Sequence, residues 1–106
     1  MGQRENLVAK LKEIKEDISR DYPVEKMIFF GSRASGKPHK DSDVDLIIVS
    51  PKFRGLDYMQ RGSKMYDYWS LTDYPVDFIC YTPEEYEKLS RGVTIVAKAV
   101  EEGITI

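Results

Sequence analysis

Two apolar runs, Met27-Ile28-Phe29-Phe30 and Val44 to Val49, flank a polar segment that contains Gly31, Gly36 and Pro38. The pairing that this segment permits constrains the fold more than any other feature of the chain. A parallel crossover needs about a dozen residues or more and ordinarily a whole helix, so two strands joined this closely are expected to run antiparallel. The end of the first strand then lies beside the start of the second, and Gly31-Ser32 becomes a neighbour of Asp43-Val44-Asp45. Continuous apolar runs of this kind belong to strands covered on both faces.

The remaining elements follow from periodicity and breakers. Leu7, Leu11, Ile14 and Ile18 recur at helical spacing among charged residues, which predicts an amphipathic helix over roughly the first twenty residues, ended by Tyr22-Pro23. The first strand is drawn from Val24 to Phe30, a turn of helix over Ser32 to Ser35, and the second strand over Val44 to Val49, closed by Ser50-Pro51. Between Arg54 and Leu71 a helical pattern carries two stripes: Leu56, Met59, Ser63 and Tyr66, and Tyr58, Gly62, Met65 and Trp69. The third strand is Pro75 to Tyr81. Thr82-Pro83-Glu84-Glu85 then has the residues of a capped helix start, and Leu89, Val93, Val96 and Val100 continue an apolar stripe with a break expected at Gly92 between two helices, the last ended by Gly103.

The second and third strands are joined through a helix, which predicts a right-handed crossover and a parallel pair. Asp77 sits near the start of the third strand as Asp43 and Asp45 sit near the start of the second, so all three carboxylates are expected at one edge of a small mixed sheet. The expected fold class is α+β. Side chains alternate along a strand, which puts Asp43 and Asp45 on one face and Val44, Leu46 and Ile48 on the other. Asp77 is flanked by Val76 and Phe78, against strand propensity, and a residue so placed asks for a reason. Carboxylates gathered together repel one another, and a divalent cation such as Mg2+ or Mn2+ turns that repulsion into oxygen ligation. Paired ions of this type serve phosphoryl and nucleotidyl transfer. Arg33, Lys37 and Lys40 add positive charge beside Gly31-Ser32, a combination suited to a polyphosphate.

Composition narrows the rest. The chain has 106 residues, expected to form a single domain, 1–106, and a formal net charge of −2, which gives no support to nonspecific nucleic-acid binding. Cys80, within an apolar run, is expected to act as a small buried hydrophobe. His39, in a polar loop, is expected to be solvated. No stretch has the length and apolarity of a membrane span or a secretory signal, so the expected location is the cytoplasm.

The order of apolar strand, Phe30-Gly31-Ser32, spacer, Asp43-Val44-Asp45-Leu46 and later Val76-Asp77-Phe78 resembles the nucleotidyltransferase superfamily of DNA polymerase β. The sequence Gly31-Ser32-Arg33-Ala34 and the chain length resemble its minimal nucleotidyltransferases, which pair with HEPN-type helical toxins as antitoxins. That resemblance implies a polymerase-β-like fold and transfer of a nucleoside monophosphate, AMP from ATP, to a hydroxyl such as a tyrosine on the partner. It implies Asp43, Asp45 and Asp77 as metal ligands and catalytic carboxylates, and Gly31, Ser32 and Arg33 as nucleotide contacts. Many relatives have a second Arg where this chain has Ser35, one phosphate contact fewer. So short a chain leaves the acceptor surface to a helical partner or a second copy; of the two stripes that carry Tyr58, Met59, Met65, Tyr66 and Trp69, one is expected in the core and the other is the candidate for such a surface. The other reading is an antitoxin that neutralises its partner by contact, without catalysis.

Overall fold

The structure, a computed structural model, describes residues 3–36 and 42–106. Lys37, His39 and Lys40 therefore lie outside the described residues. The elements are α1 (Gln3–Ser19), β1 (Lys26–Phe30), α2 (Ser32–Ser35), β2 (Val44–Val49), a 3-10 turn (Pro51–Phe53), α3 (Tyr58–Tyr66), β3 (Val76–Tyr81), α4 (Pro83–Ser90), α5 (Ile95–Glu102) and β4 (Ile104–Thr105). They form an α+β fold around one mixed sheet of order β3-β2-β1-β4. As the short connection requires, β1 and β2 are antiparallel, and β2 and β3, joined through α3, are parallel.

Alternation divides the core in two. On one face Met27, Phe29, Val44, Leu46, Ile48, Phe78 and Cys80 pack with Leu7, Leu11, Ile14 and Ile18 of α1, with Phe53, and with Met65 of α3. On the other, Ile28, Ile47, Val49 and Ile79 pack with Val96 and Ala99 of α5. Each fully buried aliphatic side chain contributes about 1.5–3 kcal/mol relative to exposure. β2 lies between β1 and β3 with apolar neighbours on both sides, which is why its sequence is an almost unbroken apolar run.

Several boundaries differ from the sequence expectation. β1 starts at Lys26 rather than Val24, and β3 at Val76 rather than Pro75. The Arg54–Leu71 pattern condenses to Tyr58–Tyr66, because Asp57 caps the helix: its carboxylate accepts from the Gln60 N–H at 2.8 Å, and the Gln60 side chain accepts from the Asp57 N–H at 3.0 Å. Of its two stripes, Met65 is buried and Trp69 packs against the core, whereas Met59 is 82% exposed and Tyr58 and Tyr66 are each 52% exposed. Tyr58 therefore leaves the stripe it was expected to share with Met65.

The capped start at Thr82 is as expected, with Thr82 and Glu85 forming a reciprocal capping box. The chain breaks around Gly92 as expected, with α4 stopping at Ser90 and Thr94 capping α5 anew, but Val93 and Val100, expected in the apolar stripe, are exposed. Gly103 lets α5 end hard against β1, since a Cβ there would lie 2.5 Å from the Ala99 carbonyl and 2.7 Å from Ile28 Cγ2. The chain then enters β4, a two-residue strand paired with β1. That strand is too short to show an alternating pattern in the sequence.

Arg61 of α3 is buried at the outer edge of β3. Its guanidinium donates to the carbonyls of Leu56 at 2.9 Å and Cys80 at 3.2 Å and to Glu85 of α4 at 2.6 Å. Tyr66 donates its hydroxyl to the Val76 carbonyl at 2.9 Å. Side chains of α3 thus occupy carbonyls that an open edge strand would offer to another chain.

Candidate functional site

The register assembles the site. Phe30, the last residue of β1, pairs with Asp45, and Asp45 pairs in turn with Asp77 on β3. Neighbouring residues of paired strands share a face, so Asp45 and Asp77 stand side by side on the face that also carries Ile47 and Ile79. Asp43 is exposed and immediately precedes β2, whose start is fixed on β3 by the Val44 N–H donating to the Pro75 carbonyl at 2.8 Å.

Gly31 closes the site from the β1 side. Its backbone has φ 86° and ψ −169°, a conformation open essentially to glycine alone, and a Cβ built there would fall 2.2 Å from Asp45 Oδ2. The glycine is therefore required twice, by its backbone and by the carboxylate against it.

Electrostatics and packing agree on which carboxylate is most constrained. Burial, and then the charges of Asp77 and Asp43, push the Asp45 carboxyl up from its usual range. Among the described residues no three His, Cys, Asp or Glu side chains stand together as a ready-made metal cage. The donor set is nonetheless of the hard-cation kind, carboxylate oxygens only, and the repulsion borne by Asp45 is what a divalent cation would relieve. Asp43, Asp45 and Asp77 are the residues that could hold one.

Ser32 and Arg33 are fixed by a residue that the sequence reading passed over. The Ser32 hydroxyl donates to Ser42 Oγ at 2.9 Å, and Arg33 Nε donates to the Ser42 carbonyl at 2.7 Å. Ser42 is buried, and the pair of bonds ties the Gly-Ser turn to the start of β2. The Arg33 guanidinium also lies 4.9 Å from the centre of the Tyr74 ring. With Nε engaged and one face stacked, Nη1 and Nη2 are the atoms through which Arg33 can meet an anion. The available signal for Ser42 was its place directly before Asp43; for Tyr74 there was none. Ser35 turns away from this network, its hydroxyl donating to the Ser32 carbonyl at 2.9 Å.

The six residues singled out from sequence, Gly31, Ser32, Arg33, Asp43, Asp45 and Asp77, thus lie around one end of the β1-β2-β3 arrangement. The phenol of Tyr58, at the start of α3, is pushed up by burial first and then by the charges of Tyr81 and Asp77.

Comparison with known proteins gives the family and the fold. The nucleotidyltransferase domain family matches residues 11–106. A curated relative from Haemophilus influenzae, "Probable protein adenylyltransferase MntA", is 33% identical over 101 residues, covering 92% of this chain and 83% of its own. Among solved structures, a "putative nucleotidyltransferase" from Sulfolobus solfataricus superposes with TM-score 0.63 at 24% identity, over 80% of this chain and 75% of that one. BolA1 from Arabidopsis thaliana superposes with TM-score 0.53 at 14% identity, over 80% of this chain and 98% of its own. These structural likenesses show the fold alone, and the BolA1 match shows that the fold by itself does not select a function.

Proposed function

The chain belongs to the nucleotidyltransferase domain family, and from that premise we propose that it acts as one minimal transferase domain that moves AMP from ATP to a hydroxyl group. The observation that carries this reading is the contact between Gly31 and Asp45, with Asp45 in register with Asp77. It brings the turn that would hold phosphates against the carboxylates that would serve the reacting phosphorus.

In this reading Gly31, Ser32 and the Nη groups of Arg33 hold the triphosphate. The acceptor oxygen attacks the α-phosphorus, the bond to the pyrophosphate oxygen breaks, and Asp77, the more exposed of the two paired carboxylates, takes the hydroxyl proton. Asp43, Asp45 and Asp77 would hold Mg2+ or Mn2+, which supplies neutralisation of the phosphate charge. The acceptor is a tyrosine of a helical HEPN-type partner, and the chain acts as that toxin's antitoxin in the cytoplasm. Support for a protein acceptor comes from the relative's name and from Met59, Tyr58 and Tyr66, which α3 leaves exposed. No described helix is long and apolar enough to cross a membrane.

The same exposed α3 residues favour the second reading, neutralisation by contact alone. The test is incubation with labelled ATP, Mg2+ and the product of the adjacent gene. Label is expected on the partner with the wild type and not with Asp43→Ala/Asp45→Ala. No transfer by the wild type, or undiminished transfer by the variant, overturns catalysis. A variant that still neutralises the partner as well as the wild type establishes the contact mechanism.

A further inference from the structure

A cavity of about 330 Å3 opens beside the Gly31 turn, between the end of β1 and α5, and is lined by Phe30, Gly31, Ser35, Ile95, Lys98, Ala99 and Glu102. Its volume falls in the range of about 300–1,000 Å3 typical of small-ligand pockets. Gly31 forms part of its wall and at the same time touches Asp45, so the cavity and the carboxylates are adjoining spaces.

We infer that this cavity is the nucleoside subsite, the place where the base and sugar of the nucleotide lie while its phosphates are held at Gly31-Ser32. The inference rests on the transferase reading above and extends it to a part of the chain, α5, that carries none of the residues already assigned.

The lining selects the nucleoside over the phosphate tail. Phe30, Ile95 and Ala99 offer apolar surface for the faces of a planar base, and Ile95 is 58% exposed, an apolar side chain at the rim that a bound base would cover. Lys98 and Glu102 are one helical turn apart on α5 and both line the cavity, so the wall carries a donor and an acceptor of opposite charge. A polyphosphate would be repelled by Glu102, whereas the edge of a nucleobase has both acceptors and donors to satisfy. Among the described residues neither side chain is engaged in an ion pair. The wall is also held in place: Thr94 caps α5 through a 3.0 Å bond from the Ala97 N–H, and Gly103 seats its end against β1.

The test compares two probes by calorimetry in Mg2+: ATP, and inorganic tripolyphosphate, which lacks the nucleoside. Ala99→Leu fills the cavity from its buried wall. Ile95→Ser removes the exposed apolar rim without touching the core and keeps the test valid if the first variant folds poorly. Ala99→Leu is expected to weaken ATP about tenfold or more and Ile95→Ser several-fold, with tripolyphosphate unchanged for both. Unchanged ATP binding in both variants overturns the subsite, and equal losses for the two probes overturn it in favour of the phosphate tail. A wild type that binds neither probe fails earlier, at the transferase reading itself, and takes this inference with it.

Discussion

Asp45 and Leu46 are consecutive residues of β2, and they face opposite sides of the same sheet. Leu46 is fully buried among the residues that α1 and α3 cover, while Asp45 stands partly open on the side covered by α4 and α5. The two faces are built differently for a reason. The first is apolar across β1, β2 and β3. The second is apolar only where α5 and α4 reach it, around Ile47, Val49 and Ile79, and turns polar at Asp45 and Asp77. One face can thus hold the fold together while the end of the other carries repelling charges that reduce stability, and a single strand serves both because its period is two residues.

The largest expected effect separates the faces directly. Asp45→Asn keeps the shape of the side chain and removes its charge, so transfer should fall on the order of 1,000-fold. Stability should not fall with it. The Asp45 carboxyl is raised in the folded protein, so folding favours its protonated form: the ionised group weakens the fold at neutral pH, and that penalty disappears as pH drops below the ordinary value of 3.8. The variant should therefore melt at or slightly above the wild type at neutral pH, by less than about 1 kcal/mol because the carboxylate is partly solvated. A marked loss of thermal stability would show that Asp45 belongs to the structural half.

Leu46→Ala is the converse. It should cost about 2–5 kcal/mol in denaturant unfolding, with the rate per folded molecule close to wild type. If the rate per folded molecule falls as steeply as in Asp45→Asn, the two faces are not separable and the comparison breaks.

Gly31→Ala probes the seam between turn and carboxylate. The backbone conformation alone should cost about 1–3 kcal/mol. The added methyl must also displace Asp45 Oδ2, only 2.2 Å from the Cβ position. Activity should fall further than that loss of stability accounts for, measured as kcat on protein shown to be folded. An active, equally stable Gly31→Ala protein would remove the contact on which the functional reading rests.

Much of this division is legible in the sequence. The short connection after Phe30 dictates the antiparallel pair, the intervening helix dictates the parallel one, and parity alone puts Asp45 opposite Leu46; β2 is bounded as expected, from Val44 to Val49. What was hidden depends on long-range packing or on segments too short for a pattern. Arg61 lies outside both apolar stripes of its helix, and its burial follows from Cys80 and Glu85 arriving from later in the chain. β4 has two residues and exists because Gly103 brings it to β1. The true start of α3 was readable, since Asp57 and Gln60 have capping-box spacing, but the apolar periodicity running from Arg54 drew the boundary too early. At the site, the carboxylates were legible because their chemistry is unusual in strands, whereas Ser42 was not, because a serine before a strand is ordinary until it is found buried and bonded to Ser32.

The smallest effect tests where the two faces are tied together. Arg61 comes from α3 and Glu85 from α4, and their 2.6 Å pair crosses the outer edge of β3, joining the two layers there as the exposed Arg54–Glu84 pair also does. The hydrogen bond from Arg61, the largest cause, holds the Glu85 carboxyl below its usual 4.5. The sign is opposite to that of Asp45: a lowered carboxyl contributes stability above the unfolded value, and the contribution is lost as pH falls from about 4.5 through the folded value. Glu85→Gln should therefore be less stable than the wild type at neutral pH, by about 1 kcal/mol since the Glu85 side chain is 44% exposed. The two melting curves should converge as the pH is taken from 6 towards 3, while wild type and Asp45→Asn converge over the same acid range from the other side. Curves that stay parallel down to acid pH would mean that the Arg61–Glu85 pair contributes nothing across the seam, leaving the sheet and the exposed Arg54–Glu84 pair to join its two faces.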